Sequence, residues 1–168
     1  MEVAIMDDGT TSGAIFSECR TWRYSLWRIW PLLSDRRLVF IGLNPSTADE
    51  VDNDPTIRRC IGFAWRHGYG GVVMLNLFAF RATRPRDMKR AIDPVGPHND
   101  CIIKLYIDKR HDIVAAWGQN GSYKNRDKAV MEMIPELFCL GLTKEDRPRH
   151  PLYLKNDTRL MPWRKNHE

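Results

Sequence analysis

The sequence predicts an α/β fold: a three-layer α/β/α sandwich on a four-stranded, mostly parallel sheet, with an extra N-terminal strand or hairpin. Three observations predict it. Four short apolar runs, at about residues 38–42, 71–77, 112–118 and 137–141, are bounded by turn residues, the pattern of strands buried on both faces. Segments with helical spacing separate them, and such alternation implies parallel pairing with helices on both faces. Each run also ends in a polar or glycine-rich patch, where open α/β sheets place their ligands.

Residues 1–13 contain Asp7-Asp8-Gly9-Thr10-Thr11-Ser12-Gly13, a turn-rich start expected to be mobile. Between Ala14 and Trp30, Trp22, Tyr24 and Leu26 alternate with Arg23, Ser25 and Trp27, which suits a half-buried strand. Arg20, Arg23 and Arg28 would line its wet side. The segment reads as a strand or hairpin over one sheet edge, or alternatively as a base-stacking platform.

The first buried run opens the stretch Leu38-Val39-Phe40-Ile41-Gly42-Leu43-Asn44-Pro45-Ser46-Thr47-Ala48-Asp49. Asp54 before Pro55 then starts a helix, with an acceptor at the N-cap and Pro at the first helical position. Ile57, Cys60, Ile61, Ala64 and Trp65 recur at helical spacing, and His67-Gly68 closes the element. After the second run, Thr83 with Pro85 starts a helix expected to end near Ile92, and Pro97 opens another. The third run ends in Gly118-Gln119-Asn120-Gly121, and Ser122 is expected to cap a helix carrying Ala129, Val130, Met133 and Ile134. The fourth leads into a loop over 142–154. The tail from Lys155 to Glu168 is polar and short. No repeat, low-complexity tract or linker interrupts residues 1–168, so a single domain is expected.

The chain has 168 residues, 43% apolar and 28% charged, which are ordinary globular values. Its net charge is +5, its pI about 9.2 and it holds six Trp, a balance compatible with a nucleic-acid partner. Cys19, Cys60, Cys101 and Cys139 are far apart and form no C-x-x-C pair. Neither a metal nor another cofactor is therefore expected. No signal-peptide core and no 18-residue apolar run appear, so the chain is expected to be soluble and cytoplasmic, with reduced thiols.

The patches Asn44-Pro45-Ser46, Asn76, Gly118-Gln119-Asn120 and Arg147-Pro148-Arg149-His150-Pro151 should gather on one rim of the sheet. Asn44 either forms an Asx turn ahead of Pro45 or holds a water or polar substrate edge; a neutral amide cannot be a general base. Asn76 is out of place in a buried strand, and either serves as a structural amide or reads a planar heterocycle through one donor and one acceptor. His150, in a rigid turn before Pro151, is a surface histidine or a neutral donor to a developing anion. Asp49, Asp52 and Asp54 are the carboxylates near the first patch. Asp54 has a capping role, which leaves Asp49 and Asp52 as candidate bases. There is no G-x-S-x-G and no Walker A loop.

In this order the patches resemble the motifs of the uracil-DNA glycosylase superfamily. Gly42-Leu43-Asn44-Pro45 is similar to its first motif, Val73-Met74-Leu75-Asn76 to its second strand, Val114-Ala115-Ala116-Trp117-Gly118 to its third, and His150-Pro151-Leu152 to its final His-Pro motif. The chain also resembles a small family of bacterial and phage proteins marked by an L-N-P-S-T-A-D…D-P-T-I-R-R-C signature, which carries no assigned function. The glycosylase resemblance implies hydrolysis of an N-glycosidic bond. Asn44 would position the water, Asn76 would bind the Watson–Crick edge of a flipped base, and His150 would stabilise charge on the departing base. Leu152 or Tyr153 would fill the gap in the stack, at a cost of a few kcal/mol for unstacking. Phe63 or Phe80 would stack on the base, Ser46 leaves room for a 5-substituent, and Arg147 and Arg149 would hold phosphates.

The expected activity is therefore removal of uracil or a 5-modified pyrimidine from nucleic acid, DNA before RNA. Two alternatives stand beside it. One is a binding protein for a nucleotide or nucleic acid on the same fold, without the chemistry. The other is a nucleotide- or tRNA-modifying enzyme using Asp49 or Asp52 as base.

Overall fold

The computed structural model describes residues 2–6, 8–31, 34–107 and 111–163. Met1, Asp7 and residues 164–168, which belong to the expected mobile start and short tail, lie outside the described residues. The N-terminal segment forms an antiparallel meander of β1 (Glu2–Ile5), β2 (Thr11–Phe16) and β3 (Arg23–Ile29). Next come β4 (Leu38–Gly42), α1 (Pro55–Arg66) and β5 (Gly71–Asn76). Then follow α2 (Pro85–Arg90), α3 (Asn99–Ile107), β6 (Asp112–Ala115), α4 (Arg126–Met133), β7 (Phe138–Cys139) and β8 (Met161–Pro162).

The α/β class is as expected, but the sheet is larger and mixed. It holds eight strands in the order β1-β2-β3-β5-β4-β6-β7-β8. The four expected strands run parallel at its centre, in the order β5-β4-β6-β7. The meander adds three strands, with β3 antiparallel to β5. The tail, read as polar and short, supplies β8 against β7 on the far edge. The turn-rich start likewise supplies β1, paired to β2 from Glu2 to Ile5.

Every residue of β4 and β5 is buried, and alternate side chains feed two cores. Leu38, Phe40, Val72 and Met74 meet Ile57, Cys60, Phe63 and Ala64 of α1 on one face. Val39, Ile41, Val73 and Leu75 meet Met88, Ile103 and Val130 on the other. Each of the Val, Leu, Ile, Phe and Met side chains contributes roughly 1.5–3 kcal/mol by leaving water, which holds the helices to both faces. Asp54 caps α1 as expected, its Oδ1 accepting from the Ile57 amide at 2.9 Å. Ser122 does not cap α4. It lies in a 3-10 segment whose last two residues, Lys124 and Asn125, are left-handed, and the helix begins only at Arg126.

The N-terminal arginines depart furthest from expectation. Arg23 and Arg28 are both buried rather than on a wet face. Along β2–β3 the pairing passes from Ile15↔Ser25 to Phe16↔Arg23, so Tyr24 is an extra residue in β3. This β-bulge breaks the alternation and puts Arg23 on the face of Leu26 instead of that of Ser25. Arg28 then ties down the segment before α1. Its Nε donates to Asn53 Oδ1 at 3.0 Å, and Nη2 donates to the carbonyls of Asp49 (2.8 Å) and Asp52 (3.3 Å). The aromatics of the segment serve packing: Trp30 stacks on Trp65, and the Trp22 indole N–H donates to the Asp93 carbonyl.

Candidate functional site

The chain runs from β4 through α1 to β5 on one side, then returns through α2 and α3 to β6 on the other side of β4. Beyond the carboxyl ends of these strands the two connections diverge and leave a crevice, the usual ligand position in such sheets. A cavity of about 590 Å³ lies there. All four sequence patches contribute to its wall.

Asn44 lies on the wall with its amide held: Nδ2 donates to the carbonyls of Ala82 (2.7 Å) and Pro45 (3.1 Å). Both amide hydrogens are thereby used, and Oδ1 is left as the acceptor for water or ligand. Asn76 is 1% exposed at the end of β5, and its Nδ2 has no hydrogen-bond partner. An unmade hydrogen bond on a buried amide costs roughly 1–3 kcal/mol. Beyond Asn76 the backbone is fixed by two residues sequence reasoning missed. Asn99 Nδ2 donates to the carbonyls of Asn76 (3.0 Å) and Leu77 (3.1 Å), and Arg126 Nε donates to that of Leu77 (2.8 Å). Polar residues at helix starts would have been their only signal.

His150 reaches the cavity from the last loop, where its Nδ1 accepts from the Leu152 amide at 3.3 Å. In the neutral ring the proton then sits on Nε2, available to a ligand. Burial holds its pKa below 6.5, with the nearby Asp54 charge working the other way, so the ring is neutral at pH 7. Arg149 and Tyr153 line the mouth, Tyr153 with 73% of its surface exposed. Gly118, Gln119 and Asn120 form part of the wall, as does Ser46. Gly118 has φ +67°, a left-handed conformation that favours glycine. Gln119 and Asn120 are steadied by Glu145 and Lys89.

Several expected residues stand elsewhere. Phe63 is buried in the α1 core and Phe80 packs against the second core, so neither lines the cavity. Arg147 is paired to the buried Asp127 at 2.7 Å and holds its loop to α4. Leu152, 40% exposed, lies outside the wall. Asp49 and Asp52 are also outside. Asp49 Oδ1 accepts from the amides of Val51 (2.9 Å) and Asp52 (2.7 Å). Burial raises its pKa, but those two amides and the charges of Arg20 and Arg28 outweigh that and hold it below the usual carboxylate range.

The carboxylate that does line the cavity is Asp54. Capping occupies one face of the group and does not remove it from the wall. Arg23, turned inward by the bulge, lies on the wall as well.

The family described as "Protein of unknown function (DUF1643)" matches residues 23–152. The chain belongs to the DUF1643 family. The DUF1643 match begins at Arg23 itself and spans every cavity-lining residue except Tyr153. β1, β2 and β8 fall outside it. Comparison with curated proteins and with solved structures returned no match. Among the described residues of this DUF1643 chain no group of three or more His, Cys, Asp or Glu is placed to hold a metal, and no helix is long and apolar enough to cross a membrane.

Proposed function

We propose that the cavity takes a pyrimidine base and that the chain hydrolyses the N-glycosidic bond of uracil or a 5-modified pyrimidine in nucleic acid, in the manner of uracil-DNA glycosylases. The observation that carries this reading is the unpartnered Nδ2 of Asn76 at the wall of a strand-end cavity. An amide there complements a pyrimidine edge: Nδ2 donates to the ring carbonyl and Oδ1 accepts from the ring N–H.

The chemistry falls to three other wall residues. Water attacks C1′ of the sugar as the C1′–N1 bond breaks and its electron pair leaves with the base. Asn44 Oδ1 accepts a hydrogen bond from that water, and Asp54 takes the proton and stabilises the positive charge developing on the sugar. His150 donates from Nε2 to the departing base anion. Base catalysis by Asp49 or Asp52 has no support in their positions. Arg149 and Tyr153 at the mouth suit the flanking strand, Tyr153 by stacking and Arg149 by phosphate contact.

The test is release of free base from duplexes and single strands carrying uracil, mismatched or hydroxymethylated pyrimidines. Release that Asn76→Ala abolishes supports the reading. No release from any substrate, by a folded protein that binds the strands, counts heavily against the chemistry and leaves the binding alternative. Strand binding should also weaken steeply with salt, and no binding at about 50 mM salt would remove the nucleic-acid partner.

A further inference from the structure

Two arginines of β3 are buried, and they differ in one respect. Arg28 is tied off by Asn53 and by the carbonyls of Trp27, Asp49 and Asp52. Arg23, 2% exposed, donates from Nη1 to the Ala48 carbonyl at 2.6 Å, while its Nε has no hydrogen-bond partner. It forms no ion pair among the described residues. The charges of Asp54 and Asp49 act on it from further away, opposed by those of Arg81 and Arg28. Burial lowers its pKa to about 10, which leaves it charged at pH 7. A buried cation without a paired anion is costly, and a bulge that turns it toward a cavity gives that cost a use.

Arg23 of β3 and Asn76 of the adjacent β5 thus both line one cavity, and each keeps a buried donor without a partner, Nε of Arg23 and Nδ2 of Asn76. We propose that Arg23 is the anion-binding residue of this cavity, and that its ligand is a pyrimidine compound whose phosphate or carboxylate Arg23 receives while Asn76 holds the ring. The pyrimidine half of this statement rests on the function proposed above; the anion half does not. A guanidinium suits either anion, because its planar fork matches their paired oxygens. A cavity of about 590 Å³ lies in the range that holds a whole small molecule.

The experiment is calorimetric titration of the full chain with two matched pairs, 2′-deoxyuridine with its 5′-monophosphate and uracil with 5-carboxyuracil, and with inorganic phosphate. One pair is expected to show a gain of about tenfold or more for its charged member, the scale of one charge-assisted hydrogen bond. The pair that shows it identifies the anion. In Arg23→Gln the gain should vanish while the uncharged member keeps its affinity. Arg23→Lys, which keeps the charge, should retain part of the gain and serves if Arg23→Gln does not fold. Equal affinity within both pairs on the unmodified chain overturns the anion site and leaves the pyrimidine reading standing. Phosphate binding that Arg23→Gln removes, with no pyrimidine bound, keeps the anion site and overturns the pyrimidine reading. No binding of any probe overturns both.

Discussion

Gly42 lies directly across the β4–β5 ladder from Asn76, and a Cβ at Gly42 would come within 2.9 Å of Asn76 Oδ1 and 3.0 Å of Met74 Cε. The glycine therefore makes the space in which the buried amide sits. Gly42→Ala should push the amide aside and cost about 1–3 kcal/mol of stability from overpacking. Asn76→Ala should cost little, since it removes a donor that has no partner in the free protein. Both should abolish binding of a pyrimidine nucleoside, so melting curves combined with titration separate the two. A Gly42→Ala protein that binds normally would show that the amide position is not critical.

Asp54 has two separable roles, cap and cavity carboxylate. Asn is as good an N-cap as Asp, so Asp54→Asn should change stability by no more than a few tenths of a kcal/mol. If Asp54 handles the proton, the same change should lower base release by about 100-fold or more. Asp49→Asn, outside the cavity, should leave turnover nearly unchanged. A reversed ranking of the two variants in a base-release assay would return the role to Asp49.

Arg28 fixes the segment that leads from Asn44 to Asp54. Arg28→Met keeps much of the volume but strands the carbonyls of Asp49 and Asp52 and the Asn53 amide oxygen. A loss of about 2–4 kcal/mol is expected, the scale of two or more hydrogen bonds to a charged donor. Thermal or urea unfolding measures it. A loss below about 0.5 kcal/mol would mean that water replaces these bonds without cost.

His150 sets a pH dependence. Its folded pKa lies below 6.5, so between that lowered value and 6.5 the unfolded chain binds more protons than the folded one. Its contribution to stability is fully present above pH 6.5 and is lost as the pH falls through the folded pKa. Donation from the neutral ring should persist across the same range. His150→Gln should flatten the stability profile over that interval, and unfolding curves at a series of pH values would show it. An unchanged profile would mean that another group titrates there.

Much of the architecture was legible in contiguous residues. The buried runs of β4 and β5 declare themselves by composition, and Asp54-Pro55 marks the start of α1, because strand burial and helix caps are set by neighbours in sequence. The gathering of Asn44, Asn76, Gly118 and His150 was also legible, since alternating strands and helices force the strand ends onto one rim. The helix periodicity that placed Ile57 and Cys60 in the core could not tell whether Phe63 faces core or ligand.

What the tertiary structure alone decided is which charged groups enter the cavity. Alternation along β3 places Arg23 with Ser25 and Trp27, on what reads as a wet face. The bulge at Tyr24 reverses this, and it exists only in the pairing of β3 with β2. Asp54 was visible as a cap but not as part of the cavity wall, because that depends on where Arg28 and α1 hold its loop. Local patterns specify elements and their order, whereas the side of a strand that a residue faces after a bulge, and the wall that a capping residue joins, depend on contacts far apart in sequence.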